Sequence, residues 1–356
     1  MDKKILYIDE VLRKRDNLNL NDLEKFDINE ICLVLSSNPF ILTKHWIKFQ
    51  QEWININYKT FRDHDKYIIL IYLISKSWEG DLNLFKFYSI DDFHSKEDVS
   101  LPNISLLEIA GDLRIPKETI RRKLIELEKE NIIIRKGQKI ILSQLALKLQ
   151  KPENSIKTLS IFLEKLSILL SAQDWFGPSI SRGDIELYFR KFYTIFWNHY
   201  FKMQIPFLVR WKKIFGDLES WVIWANMGMN QFTNLEKVSK RAEVKKNINL
   251  SEDNKANQYI EDIINMNDNQ VNESMRGVNA SSISEISFIP RATVIRKLNK
   301  LSKKNIIKRN KKLEYFLTGQ GKLNEEIKAN YLINQKNIAL FVTDIINLIK
   351  KSSLKI

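Results

Sequence analysis

The sequence predicts a mainly α fold that carries two small β-hairpins, and three observations lead there. Residues 109–135 (IAGDLRIPKETIRRKLIELEKENIIIR) align without a gap on residues 283–309 (ISEISFIPRATVIRKLNKLSKKNIIKR), with roughly half the positions identical. Apolar residues between and around the copies recur at helical rather than alternating spacing. Only 10 Gly and 7 Pro occur among 356 residues, too few for a sheet-rich chain with its many turns.

Taken in order, residues 1–40 hold two short helical patterns, around 5–12 and 23–35, read as an N-terminal helical lead-in. Residues 41–103 form a first helical block. It is rich in aromatics over 42–78 (Trp46, Phe49, Trp53, Tyr58, Phe61, Tyr67, Tyr72) and becomes a mixed-charge loop with a short helical turn over 79–102. The first copy of the repeat occupies 104–150, and Gly137 permits its tight hairpin turn before a returning strand over 138–142. Residues 151–233 combine a trailing amphipathic helix (155–172, with Leu159, Leu163, Leu166 and Leu170) and a second aromatic block (184–230). A polar, Lys- and Asn-rich linker or solvated helix follows over 234–257. A short helix at 259–266 opens the second copy, 258–321. A closing helix over 322–356 sets Leu332, Ile338, Phe341, Ile345 and Leu348 on or near one face. A fainter repeat lies upstream at a different offset, pairing Lys59/Lys213, Phe61/Phe215, Asp63/Asp217, Tyr67/Trp221 and Ile69/Ile223. It would make the chain a duplicated unit of helical block, repeat and trailing helix.

Within the second copy a short helix carries Ile283 and Ile286, and a turn follows at Phe288-Ile289-Pro290. Pro290 suits the first turn of the next helix, where an N–H has no intrahelical partner. Val294, Leu298 and Leu301 then make one buried stripe, matched by Ile120, Leu124 and Leu127. Identities include Ile115/Ile289, Pro116/Pro290, Thr119/Thr293, Arg122/Arg296, Lys123/Lys297, Asn131/Asn305 and Arg135/Arg309. This pattern resembles the winged helix-turn-helix of bacterial regulators such as the MarR and GntR groups. The resemblance implies tandem winged-helix domains with small β-wings, each joined to aromatic-rich helical segments and a long trailing helix. It also implies double-stranded DNA as the partner, with the second helix in the major groove and the wing on the backbone.

By that resemblance, Lys117/Arg291, Thr119/Thr293 and Arg122/Arg296 are the candidates for base or phosphate contact, with Arg121, Lys123 and Lys297 beside them. Arg135, Lys136, Lys139, Arg309, Lys311 and Lys312 would be wing contacts to phosphate. The copies differ, since Arg121 is replaced by Ile295 and Glu118 by Ala292, and Glu118 stands close enough to Arg121 for a local ion pair. The half-sites should therefore differ. The first copy is expected to do more of the reading and the second to lean on its wing, so that Ile295→Arg would tighten binding.

Composition agrees with a polyanionic partner: the formal net charge is +14. Abundant Lys also follows from AT-rich codons, but Arg does not. Seven of the 15 Arg (Arg114, Arg121, Arg122, Arg135, Arg291, Arg296 and Arg309) fall in the two copies. Cys32 is the only cysteine, which leaves no intrachain disulfide or thiolate metal site. His45, His64, His94 and His199 show no metal spacing, and His64, between Asp63 and Asp65, suits a surface loop. No phosphate-binding loop or hydrolase motif occurs, so neither enzymatic activity nor a cofactor is expected. The start MDKKILYIDEVLRKRDN has no signal-peptide core, and the longest apolar run (67–74, YIILIYLI) is far short of a membrane span, so a cytoplasmic location is expected.

The expected function is that of a transcriptional regulator acting as an intrachain pseudo-dimer, with two recognition helices in successive major grooves. A plasmid-type replication initiator with two winged helices, and a winged-helix scaffold that binds protein, are the alternatives. The aromatic blocks read either as helical core or as a pocket for a small-molecule effector. The trailing helices serve either self-association or packing within one chain.

Overall fold

The structure is a computed structural model that describes residues 6–7, 28–83, 86–137, 139–246, 277–318 and 322–353. The lead-in pattern around 5–12, residue 138 of the returning strand, the linker beyond 246 and the short helix at 259–266 lie wholly or mainly outside the described residues. The chain is mainly helical with small antiparallel sheets, and it divides into two compact units.

The first unit contains Asp65–Val209 and the chain from Asn337 onward, with Met1–Ile28. Its central helix is α3 (His64–Asn83, joining at Asp65), in which every side chain from Tyr67 to Ile74 is buried. The longest apolar run in the sequence is therefore a helix enclosed on all sides. Trp78 at its end stacks on Phe201 with ring centroids 5.6 Å apart, and Ser75 Oγ donates to Asn198 Oδ1 at 3.0 Å. Both partners lie on α10 (Tyr193–Phe215), which belongs to this unit up to Val209.

After α3 come β2 (Lys86–Phe87), paired antiparallel with β1 (Leu6–Tyr7), then the short α4 (Ile90–His94) and β3 (Asp98–Ser100). α5 (Leu106–Leu113), α6 (Lys117–Lys129), β4 (Ile133–Lys136) and β5 (Lys139–Ser143) follow, and the strands form one antiparallel sheet ordered β3-β5-β4. The segment over 79–102 is thus more structured than a loop. β3 has three residues, too few for its alternation to be a signal, and its pairing with β5 selects its conformation. The unit continues with α7 (Gln144–Leu149), α8 (Glu153–Ser171), α9 (Arg182–Lys191) and the end of α14 (Leu323–Ser353). His94 Nδ1 lies 2.7 Å from the Leu147 carbonyl and ties α4 to α7.

The second unit contains Asn29–His64 and Arg210–Lys336. α1 (Ile28–Ser37) leads through a turn at Pro39–Thr43 into α2 (Lys44–Phe61), which packs on α11 (Leu218–Lys246) and α12 (Ala280–Ser287). The expected single aromatic block over 184–230 is therefore three helices, and the polar stretch is helical as far as Lys246. α13 (Arg291–Lys303) and the hairpin β6 (Ile307–Arg309) and β7 (Tyr315–Leu317) complete the unit with α14 up to Lys336. Val278 bridges Tyr315 as a rudimentary third strand. A Cβ on the neighbouring Gly277 would fall 2.7 Å from the Phe316 ring, so only glycine permits this approach.

The aromatic blocks supply core: Trp197, Phe196, Tyr200 and Phe201 are buried in the first unit, and Trp211 and Trp221 stack 5.9 Å apart in the second. In α12 Ile283 is buried and Ile286 exposed, and the helix also buries Ala280 and Ser287. One stripe expectation is corrected. Leu332 is 70% exposed, because the buried face of α14 runs through Ile327, Phe341, Val342 and Ile345. His64 is not on a surface loop but is 3% exposed at the start of α3. No described helix is long and apolar enough to cross a membrane.

Candidate nucleic-acid interface

The two copies of the repeat have matching local structure. Ser105 caps α5 by accepting from the Glu108 N–H at 3.1 Å, and Asn279 caps α12 by accepting from the Ser282 N–H at 2.9 Å. Both helices end on a left-handed residue, Arg114 (φ 50) and Phe288 (φ 59). Pro116 and Pro290 sit at the N-caps of α6 and α13, one position earlier than expected, and their carbonyls accept from the Ile120 and Val294 N–H groups at 3.0 Å. Asn131 (φ 57) and Asn305 (φ 56) turn each chain into its hairpin, and Ser143 and Thr318 hydroxyls donate to those Asn carbonyls at 2.6 Å. Upstream, α2 ends on Arg62 (φ 53) and α10 on Gly216 (φ 84), whose N–H groups donate to Tyr58 and Lys212 carbonyls at 2.8 Å. These breaks match at the second, fainter offset.

Burial of Ile120, Leu124 and Leu127, and of Val294, Leu298 and Leu301, turns one face of each second helix outward. In α6 that face is Lys117, Glu118, Arg121 and Arg122, all exposed, with Ile125 half-buried. In α13 it is Arg291, Ala292, Arg296 and Asn299, exposed, with Ile295 half-buried. Thr119 and Thr293 are half-buried at its edge. Glu118, Ala292, Ile295 and Asn299 were not among the expected contacts, although their spacing from Lys117 and Arg291 places them on the same face.

Lys123 and Lys297 leave the outward set. Lys123 is buried and its Nζ donates to Glu126 at 2.8 and 3.0 Å. Lys297 is half-buried with its Nζ 2.7 Å from Asp217 Oδ1. Burial pushes the Asp217 carboxyl up, but hydrogen bonds from Lys297 and Ser220 outweigh it and hold the group at about 2. Each lysine precedes a stripe leucine and points partly inward, where Lys123 meets a carboxylate of its own helix and Lys297 one before α11.

The remaining cations differ in their partners. Arg121 Nε donates to Glu118 at 2.9 Å, Arg122 Nε lies 3.8 Å from Glu126, and Arg135 Nε and Nη2 both donate to Glu128 Oε2, the former at 2.8 Å. Those hydrogen bonds hold the Glu128 carboxyl below its ordinary range. In the second copy the three glutamates are replaced by Ala292, Lys300 and Ser302. Arg291 Nε donates to Ser281 at 3.0 Å, and Arg296 meets no carboxylate among the described residues. α6 holds five cations against three acids, whereas α13 holds five cations and none. With Ile295 in place of Arg121 the second helix was expected to carry fewer cations; it carries as many, and a higher net charge. Ile295 removes one cation, but the loss of three carboxylates outweighs it.

The hairpins carry the wing candidates. Lys136 and Lys139 are exposed and directly opposite each other across the first turn. In the second, Arg309 lies over the Tyr315 ring at 5.5 Å, and Lys311 and Lys312 are exposed. Asn310 staples this loop: its N–H donates to the Glu314 carbonyl, and its Oδ1 accepts from the Glu314 N–H, each at 2.9 Å. At the tip Leu313 adopts φ 62 and is 57% exposed. No group of His, Cys, Asp or Glu among the described residues could hold a metal ion. No family model, curated protein or solved structure matches the chain.

Proposed function

We propose that the chain is a sequence-specific double-stranded DNA-binding protein with two winged helices, and that its role is transcriptional regulation. The carrying observation is the matched pair of outward faces on α6 and α13, each followed by a hairpin with a cationic tip. α6 and α13 would each enter a major groove, with Lys136, Lys139, Arg309, Lys311 and Lys312 on flanking phosphates. One unit per half-site lets a single chain cover both, so no second copy is required. Tight binding should weaken steeply as salt rises, because neutralised phosphates release counterions.

The test is retention of random duplex DNA on the purified chain across a salt series, followed by sequencing of the bound fraction. Enrichment of a bipartite site together with a steep salt slope supports the proposal. Salt-insensitive behaviour with no retention would favour a scaffold that binds protein. A recovered site that maps to directly repeated origin sequences rather than promoters would assign the chain to replication initiation.

A further inference from the structure

We infer that the two recognition faces read half-sites of different base composition: a G·C pair by Glu118 and Arg121 on α6, and an A·T pair by Asn299 with Ala292 and Ile295 on α13. This rests on the DNA-binding reading above and adds to it which residues select the bases.

On α13 the face between Arg291 and Arg296 is apolar at Ala292 and Ile295, and Asn299 lies one turn further along. Asn299 is exposed and has no hydrogen-bond partner among the described residues. Its carboxamide carries one acceptor and one donor group side by side, which match the N6 amino group and N7 of adenine. Ala292 and Ile295 offer methyl groups to a thymine C5-methyl, the one apolar feature of the major-groove edge. α13 contains no carboxylate, so it lacks the charged acceptor best suited to the cytosine N4 amino group.

On α6 the same two positions hold the ion pair of Glu118 and Arg121, 2.9 Å apart and both exposed. The guanidinium presents two parallel donors suited to guanine O6 and N7. The Glu118 carboxylate suits the cytosine amino group across the pair. A purely helix-stabilising role for Glu118 in the first turn is the competing account. It makes an opposite forecast, because a carboxylate with no base to read only repels phosphate, and removing it would tighten binding to every sequence alike.

The experiment selects bound duplexes from a random library with the intact chain, then measures the selected site with thymine replaced by deoxyuracil, which lacks only the C5-methyl. Two unlike half-sites are expected, one with a fixed G·C pair and one with a fixed A·T pair. Deoxyuracil in the A·T half should weaken binding roughly fourfold, the worth of one buried methyl, and in the other half should have no effect. Asn299→Ala should lose roughly tenfold or more on the selected site and relax the A·T position alone. Glu118→Gln should relax the cytosine position. Two half-sites of equal composition, deoxyuracil equal to thymine, or uniform tightening in Glu118→Ala would each overturn the assignment while leaving DNA binding intact. Failure to enrich any sequence would instead overturn the reading on which it rests.

Discussion

Asp217 and Lys297 lie 2.7 Å apart and join the residue that caps α11 to the middle of α13. Lys300 also reaches Asp217 at 3.2 Å, so one carboxylate serves two lysines of α13. Asp217→Asn should destabilise the chain by on the order of 2 kcal/mol at neutral pH, the worth of its depressed pKa. Because the folded-state pKa is lowered, that contribution is present above the unfolded value near 3.8 and disappears as pH falls toward 2. Urea unfolding at pH 7 and pH 3 should therefore show the difference between wild type and Asp217→Asn shrinking at the lower pH. A constant difference would assign the effect to packing.

Lys297 and Lys123 are anchors rather than groove contacts. Truncating either to Met should lower the unfolding midpoint while leaving the salt slope of DNA binding within error of wild type. A slope reduced by about one would return the residue to the interface.

The two wings should contribute unequally to that slope. Arg309→Ala and Lys312→Ala are each expected to reduce it by about 0.9, the value for one phosphate of duplex DNA. Arg135→Ala should change it much less, since Glu128 already neutralises the guanidinium. Glu128→Ala should steepen it by releasing that charge. On the recognition helices, Arg296→Ala should cost about 1–3 kcal/mol if it binds a base bidentately. A gel-shift titration series across about 50–200 mM salt, the range in which such slopes are usually resolved, reads all five variants.

His94 and His64 are buried, and burial is the main cause that lowers each to about 4. The unfolded chain takes up these protons near 6.5, whereas the folded chain resists until about 4. Stability from both groups is therefore full above pH 6.5 and falls between 6.5 and 4. Each could contribute up to about 3 kcal/mol to that loss. His94→Gln should flatten the acid limb of a stability-against-pH curve. An unchanged limb would mean that carboxylates carry the acid sensitivity.

Leu313 is left-handed at the wing tip, a conformation that costs an L-residue about 1–2 kcal/mol. Leu313→Gly should raise stability by about 0.5–1 kcal/mol once the extra freedom of unfolded glycine is deducted. Thermal unfolding of the variant checks the sign.

Much of the repeat is legible in the sequence because its positions are set locally. The left-handed Asn131 and Asn305, the prolines before α6 and α13, and the stripe leucines each follow from short-range rules. β3 and the bridge at Val278 are not legible, because in segments this short alternation is no signal, and they form only where a partner strand supplies hydrogen bonds. The outward face is half legible: its cations stand out by charge, whereas Ala292, Ile295 and Asn299 share the face without a chemical signal. The neutralisation of Arg135 by Glu128 joins a helix to a strand seven residues away, and spacing alone does not indicate it. Lys297 was misplaced for a related reason: its partner Asp217 lies far off in the sequence.

α2 belongs to the compact unit that holds the second copy, and α10 up to Val209 belongs to the one that holds the first. Neither copy can therefore be excised together with its complete core as one contiguous stretch. A growing chain that has just finished its first hairpin still lacks the Tyr193 and Phe201 side chains that cover Trp78. That unit also awaits residues beyond Asn337. Completion of the first-made unit is thus deferred until residues beyond 337 have been made, and a messenger cut short before them would yield two unfinished cores rather than one working half.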